Sequence, residues 1–216
     1  MYDVEEYKIS KNELIDLLKS LLKFNKENEW IEFKVNNDDP HMIGEYISAL
    51  SNSAALWNKE HAYLVYGIDN KTRNIIGTNF DFYNTKKGNE PLYNWIYRKL
   101  KPQIEFEAYE VEYENKSILI IEIDKAKNYP VEFDKVAYIR VGEQKHKLCD
   151  YKEKEKKLWN QLNKISFEDE IAISKLNKND IVELLEVTAY YKLLDLPYPD
   201  TIDKLIEDFL SEGFVK

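Results

Sequence analysis

In residues 27–35, Glu27-Asn28-Glu29-Trp30-Ile31-Glu32-Phe33-Lys34-Val35, side-chain character alternates with period two from Trp30 onward. Ile31, Phe33 and Val35 fall on one face, and Trp30, Glu32 and Lys34 on the other. This is the pattern of a half-buried strand. Upstream, Ser10-Lys11-Asn12-Glu13 has the form of a capping box, and Leu14, Leu17, Leu18, Leu21 and Leu22 repeat at helical spacing behind it. A helix over 11–24 is predicted. Downstream, Pro40 suits a helix start, and the small, apolar run 43–56 predicts a buried helix packed tightly on a sheet. Residues 62–68 read as the next β-rich run, followed by a turn at 69–72 and a strand at 74–77.

Farther along, 91–100 reads as a short helix stopped by Pro102. Alternation over 104–113, a turn at Glu114-Asn115-Lys116 and a second apolar run at 117–124 predict an antiparallel hairpin. Residues 130–133 and 136–141 read as two further short strands. After Asp150 the character changes to a charged helix over 151–162, an acidic link at 167–170, and helices over 178–191 and 201–210. The fold class expected is α+β: a small mixed, largely antiparallel sheet flanked by helices over 1–150, followed by a short helical segment over 151–216.

Composition supports a folded chain. With 44% hydrophobic and 13% aromatic residues among 216, there is enough apolar volume for a sizeable core despite one-third charged residues, which excludes general disorder. No apolar run approaches the ~20 residues that span a bilayer, and the first ten residues lack the basic and apolar regions of a secretory signal. A cytoplasmic protein without membrane contact is expected. Cys149 is the single cysteine, so neither an internal disulfide nor a thiolate zinc cage can form within one chain.

A net charge of −9 argues at first against nucleic acid, since phosphate contacts need clustered Lys and Arg. Its distribution qualifies that. Residues 125–147 hold six Lys/Arg against three acids, Arg98, Lys99 and Lys101 form a second basic cluster, and 150–216 hold fifteen acids against ten Lys. Arg140, Lys145, His146 and Lys147 suit either a phosphate-binding rim, with Trp30 or a Tyr as a stacking surface, or a solvated strand end. His41, His61 and His146 lack partners at metal-ligand spacing. Ser51 and Ser53 lack a G-x-S-x-G elbow, and no Walker A motif occurs.

Three acids stand out by placement: Glu27 before the first strand, Glu32 on its polar face, and Asp69 at the end of the run 62–68. Carboxylates from neighbouring strand ends can converge into a hard-oxygen site for Mg²⁺ or Mn²⁺. Equally, such acids can lie on solvated faces. Five apart, Glu27 and Glu32 meet only if the chain breaks near Asn28.

These residues also resemble a family. Glu27 through Lys34 is similar to the E-x4-E-F-K signature of the Schlafen-type AlbA-like domain. Ile47-Ser-Ala-Leu-Ser-Asn52, Tyr66-Gly-Ile-Asp69, Ile76-Gly77 and Tyr138-Ile-Arg140-Val-Gly142 match its remaining blocks in order. The resemblance implies a nucleic-acid-binding domain of a bacterial multidomain protein, RNA favoured over DNA. It further implies Mg²⁺- or Mn²⁺-dependent endoribonuclease activity through an acidic trio, Glu27, Glu32 and Asp69, which would hold the metal and carry catalysis. Lys34, Arg140, Lys145 and Lys147 would hold backbone phosphates. The alternative is a non-catalytic DNA-binding module of a transcriptional regulator, in which Glu32 pairs with Lys34 or Arg140. By analogy with vertebrate Schlafens, which use two such lobes in one chain, a homodimer is expected. Segment 151–216 resembles a linker leading toward an ATPase-like domain and a winged helix that this chain lacks.

Overall fold

Ser10 does cap the first helix. Its hydroxyl accepts the Glu13 N–H at 3.3 Å, and the Glu13 carboxylate accepts the Ser10 N–H at 2.7 Å, so that α1 runs Lys11–Leu22. The computed structural model describes residues 9–24, 28–163 and 177–212. The strand expected from the alternation is β1, Ile31–Lys34. Asp39 then caps α2, Pro40–Leu56, by accepting the N–H groups of His41 and Met42, with Pro40 at the helix start where its missing N–H costs nothing. β2 is His61–Tyr66. α2 ends at Leu56, where the apolar run ends, leaving 57–60 to connect it to β2, and Asn58 takes the positive φ (51°) that ends the helix.

A small hairpin not expected from periodicity follows, β3 (Lys86–Lys87) and β4 (Glu90–Pro91), turning at Gly88-Asn89, a hairpin-turn dipeptide whose Gly88 takes positive φ (65°), and leading into α3 (Leu92–Lys99) and β5 (Leu100–Lys101). β6 (Phe106–Tyr113) and β7 (Lys116–Asp124) form the expected antiparallel pair. Glu114 and Asn115 both take positive φ at its turn, the conformation that matches strand twist in two-residue loops. β8 (Glu132–Phe133), β9 (Val136–Val141) and β10 (Gln144–Lys147) precede α4, Lys152–Leu162.

Two four-stranded sheets result, in the orders β1-β2-β7-β6 and β10-β9-β8-β5. β1 and β2 are parallel, with α2 as their crossover, and the pairs β2·β7 and β6·β7 are antiparallel. Alternation along β1 splits the core in two: Ile31 and Phe33 pack with Leu14, Leu18 and Leu21 of α1, whereas the other face of the sheet packs against α2. α2 contacts both sheets, so every residue from 46 to 55 is buried. Gly44 is required there, because any Cβ would enter the Phe133 ring.

The chain divides into two compact units, residues 1–165 and 166–216. Leu158 and Leu162 of α4 are buried in the first unit's core, so α4 belongs to that unit although the charge pattern changes at 150. The second unit contains α5 (Lys178–Leu184), α6 (Val187–Leu193) and α7 (Ile202–Ser211) around Ile181, Val187, Tyr191, Leu205, Ile206 and Phe209. The single helix expected over 178–191 is two, separated at Leu185 and Glu186. The acidic link at 167–170 lies outside the described residues. Among those residues no helix is long and apolar enough to cross a membrane.

Candidate functional site

A polar stripe on α2 organises the site. Glu45, Ser48 and Asn52, spaced i, i+3 and i+7, lie on one face of the helix. They meet the edge of β9 that β10 leaves open. The Ser48 hydroxyl donates to Val131 O at 2.7 Å and accepts the Tyr138 N–H at 3.1 Å. Asn52 Nδ2 donates to Val131 O and Tyr138 O, both at 2.8 Å, while its Oδ1 accepts the Val131 N–H at 2.7 Å. Ser53 accepts the Arg140 N–H at 3.1 Å. These buried hydroxyls and amide take the place of a neighbouring strand, which is why polar residues persist in an otherwise apolar run. Sequence alone does not assign them that role. Polar residues at helical spacing inside a buried helix are the signal that could have found it.

With β9 so placed, alternation along it turns Tyr138 and Arg140 toward one face, and the antiparallel register sets Lys145 opposite Arg140 and Lys147 opposite Tyr138. Arg140 pairs with the Glu32 carboxylate, whose second oxygen pairs with Lys34. Glu32 is 1% and Arg140 0% exposed. The strand expected to be half-buried is therefore covered on both faces, because the acid on its polar face is neutralised where it stands. Arg140 cannot reach a phosphate from this position, and the phosphate-holding role expected for it is replaced by an internal one.

The neighbouring residues extend this cluster. Lys145 pairs with Glu45, and the Tyr138 hydroxyl donates to Glu45 at 3.1 Å. The ammonium groups of Lys34 and Lys145 both lie over the Tyr46 ring, 4.8 and 4.6 Å from its centroid, and Lys145 is 5.6 Å from that of Tyr138. Cations over ring faces are stabilised by the ring quadrupole. Burial and the adjacent Glu45 push the Tyr138 hydroxyl up to about 12, and burial, with Tyr46 and Asp38 nearby, pushes Tyr66 up strongly. Both stay neutral donors. Lys147 is exposed beyond this group.

Glu29, in the same signature, ties the site to its surroundings. Its carboxylate accepts from Lys154 (2.7 Å), the Gly142 N–H (2.9 Å) and Trp57 Nε1 (2.6 Å). Burial alone would raise its pKa, but these donors outweigh it and hold the carboxyl below its ordinary value.

Glu32 and Asp69 are each engaged by other partners. Glu27 lies outside the described residues. Glu32 sits opposite Leu64 in the β1–β2 register, five residues upstream of Asp69. Asp69 closes its own turn instead: its Oδ1 accepts from the Lys71 N–H (3.1 Å), the Thr72 N–H (2.7 Å) and the Thr72 hydroxyl (2.8 Å). Among the described residues no three His, Cys, Asp or Glu side chains are grouped to hold a metal ion. A divalent cation would have to displace Lys34 and Arg140 from Glu32 and the turn donors from Asp69. These two acids as arranged do not fit it. Lys34, Arg140 and Lys145, by contrast, are brought together.

Residues 27–149 match the family described as Schlafen, AlbA_2. Among solved structures, the chain is similar to the DIP2311 protein from Corynebacterium diphtheriae, at 19% identity and a TM-score of 0.38 over 63% of this chain and 26% of that one. It is also similar to the N-terminal domain of a RecG-related protein from Nitrosomonas europaea, at 20% identity and a TM-score of 0.37 over 63% of this chain and 92% of that one. The chain thus matches about a quarter (26%) of the length of DIP2311. No protein of curated function matches it.

Proposed function

The chain belongs to the Schlafen AlbA_2 family, and on that premise we propose that it is a nucleic-acid-binding domain whose contact surface is formed by Lys34, Lys145 and Lys147 beside Tyr46 and Tyr138. The observation that carries this reading is the convergence of two ammonium groups, from strands more than a hundred residues apart, on one Tyr46 ring. Beneath them Glu32 is neutralised by Arg140 as well as Lys34, and Glu45 by Lys145 and the Tyr138 hydroxyl. An arriving phosphate therefore meets cations whose carboxylate partners have other donors. Family resemblance favours RNA, and the half-buried Tyr138 ring suits contact with an unpaired base, whereas the buried Tyr46 ring serves to seat the two ammonium groups. The buried pairing of Glu32 favours binding without cleavage at this position.

The test is fluorescence anisotropy with labelled tRNA, single-stranded RNA and duplex DNA across a salt series, in Mn²⁺ and in EDTA, for the wild type and Lys34→Ala/Lys145→Ala. Binding is expected to weaken with salt. The double variant should lower the slope of log K against log [salt] by roughly 1.4–1.8, the value for two phosphates no longer neutralised. Equal affinity and slope in the variant would remove this surface from recognition. Metal-dependent cleavage that disappears in Glu32→Gln, with the variant still folded, would assign the acidic trio instead.

A further inference from the structure

A second concave site lies away from the cluster just described, at the free edge of β6. It is a cavity of about 520 Å³ with aromatic walls from Tyr83, Tyr93 and Phe106. Tyr93 packs on Phe106 with ring centroids 4.8 Å apart, and the Tyr83 hydroxyl is anchored by accepting the Ala108 N–H of the sheet edge at 3.2 Å. Tyr83 is exposed, Tyr93 half-buried and Phe106 buried, and an aromatic lining around a void of this size is what small-ligand sites offer.

The polar lining selects the ligand's charge. Glu105, Glu107, Glu122 and Asp124 also line the cavity. Glu107 is directly opposite Glu122 in the β6·β7 register, and Asp124 N–H donates to Glu105 O at 3.0 Å, so the two pairs stand side by side on one sheet face. Like charges directly across a ladder destabilise it. Partial relief comes from His61, which approaches Asp124 at 3.2 Å and Glu122 at 4.0 Å, from Lys127, which approaches Asp124 at 3.3 Å, and from the Tyr109 and Tyr63 hydroxyls, which hydrogen-bond Glu107 and Glu122. Among the described residues no cation pairs with Glu105 or Glu107. Among the described residues these carboxylates are not grouped to hold a metal ion, and a cation that spans the cavity can reach carboxylates that stand apart.

We infer that this cavity binds an organic cation, an alkylammonium or guanidinium group that lies against Tyr83 and Tyr93 and places its charge between Glu105 and Glu107. Aromatic faces and carboxylates together attract such groups, whereas a hydrated divalent ion gains nothing from the rings. The chemistry is shared by free polyamines and by Lys or Arg side chains of a protein partner. The inference is independent of the nucleic-acid reading.

The test is calorimetric titration of the whole chain, without nucleic acid, with spermidine in one arm and a short arginine-containing peptide in the other. Mg²⁺ serves as competitor at matched ionic strength. Saturable binding in either arm is expected, weakened about tenfold by Glu105→Gln/Glu107→Gln and about two- to fivefold by Tyr83→Leu. Lys34→Ala/Lys145→Ala should leave it unchanged. Binding of spermidine alone assigns a small amine, and of the peptide as well a protein partner. No binding in either arm, equal displacement by Mg²⁺, or indifference to both cavity variants overturns the proposal. The Mg²⁺ competition uses the wild type, so it decides the matter even if a variant folds poorly.

Discussion

Glu32 and Arg140 are buried side by side, 1% and 0% exposed, and this pairing governs what substitution of either residue would do. Removing one charge from beside a buried partner costs about 3–5 kcal/mol, far more than an exposed pair is worth. Glu32→Gln keeps the shape and some hydrogen bonding, so a loss of roughly 2–4 kcal/mol in urea unfolding is expected. A loss under ~0.5 kcal/mol, the range of surface substitutions, would show the pair to be structurally idle. Glu29 yields a pH prediction. Its folded pKa is held below the ordinary value of 4.5, so its contribution is present above that value and is lost as pH falls through the folded pKa. Thermal unfolding followed from about pH 7 to about pH 3 should show an acid-side loss of stability in the wild type that is smaller in Glu29→Gln.

Among the elements, α2 substitutes for a strand along the edge of β9. Asn52→Ala would leave the Val131 N–H and two carbonyls without their amide partner; a destabilisation of about 3 kcal/mol is expected by chemical denaturation. Gly44→Ala should cost roughly 1–3 kcal/mol through overpacking against Phe133. The elements themselves are largely legible in the sequence: the capping box of α1, the proline start of α2, the alternation of β1 and the hairpin β6–β7 are all local signals. β3 and β4, two residues each, are too short to show periodicity. The break between α5 and α6 carries no Gly or Pro to announce it, and β10 is all polar because it lies at the edge of its sheet.

Across the molecule, each compact unit has its own apolar cluster. A chain cut after Ile165 should therefore keep the nucleic-acid affinity of the full chain and nearly its melting temperature. A cut after Asp150 removes the buried Leu158 and Leu162 and should lose about 4 kcal/mol or more. Circular dichroism melts and anisotropy of the two truncations check both outcomes. The α+β class, most element positions and the family follow from sequence, because capping, periodicity and ordered motif blocks are written in neighbouring residues. Glu32, Lys34, Arg140 and Lys145 also come forward from sequence as residues of interest. Their roles follow from the tertiary fold. Whether Glu32 faces solvent, a metal or a guanidinium depends on a strand more than a hundred residues away, positioned by the buried Ser48, Asn52 and Ser53, and no local pattern around Glu32 encodes that crossing.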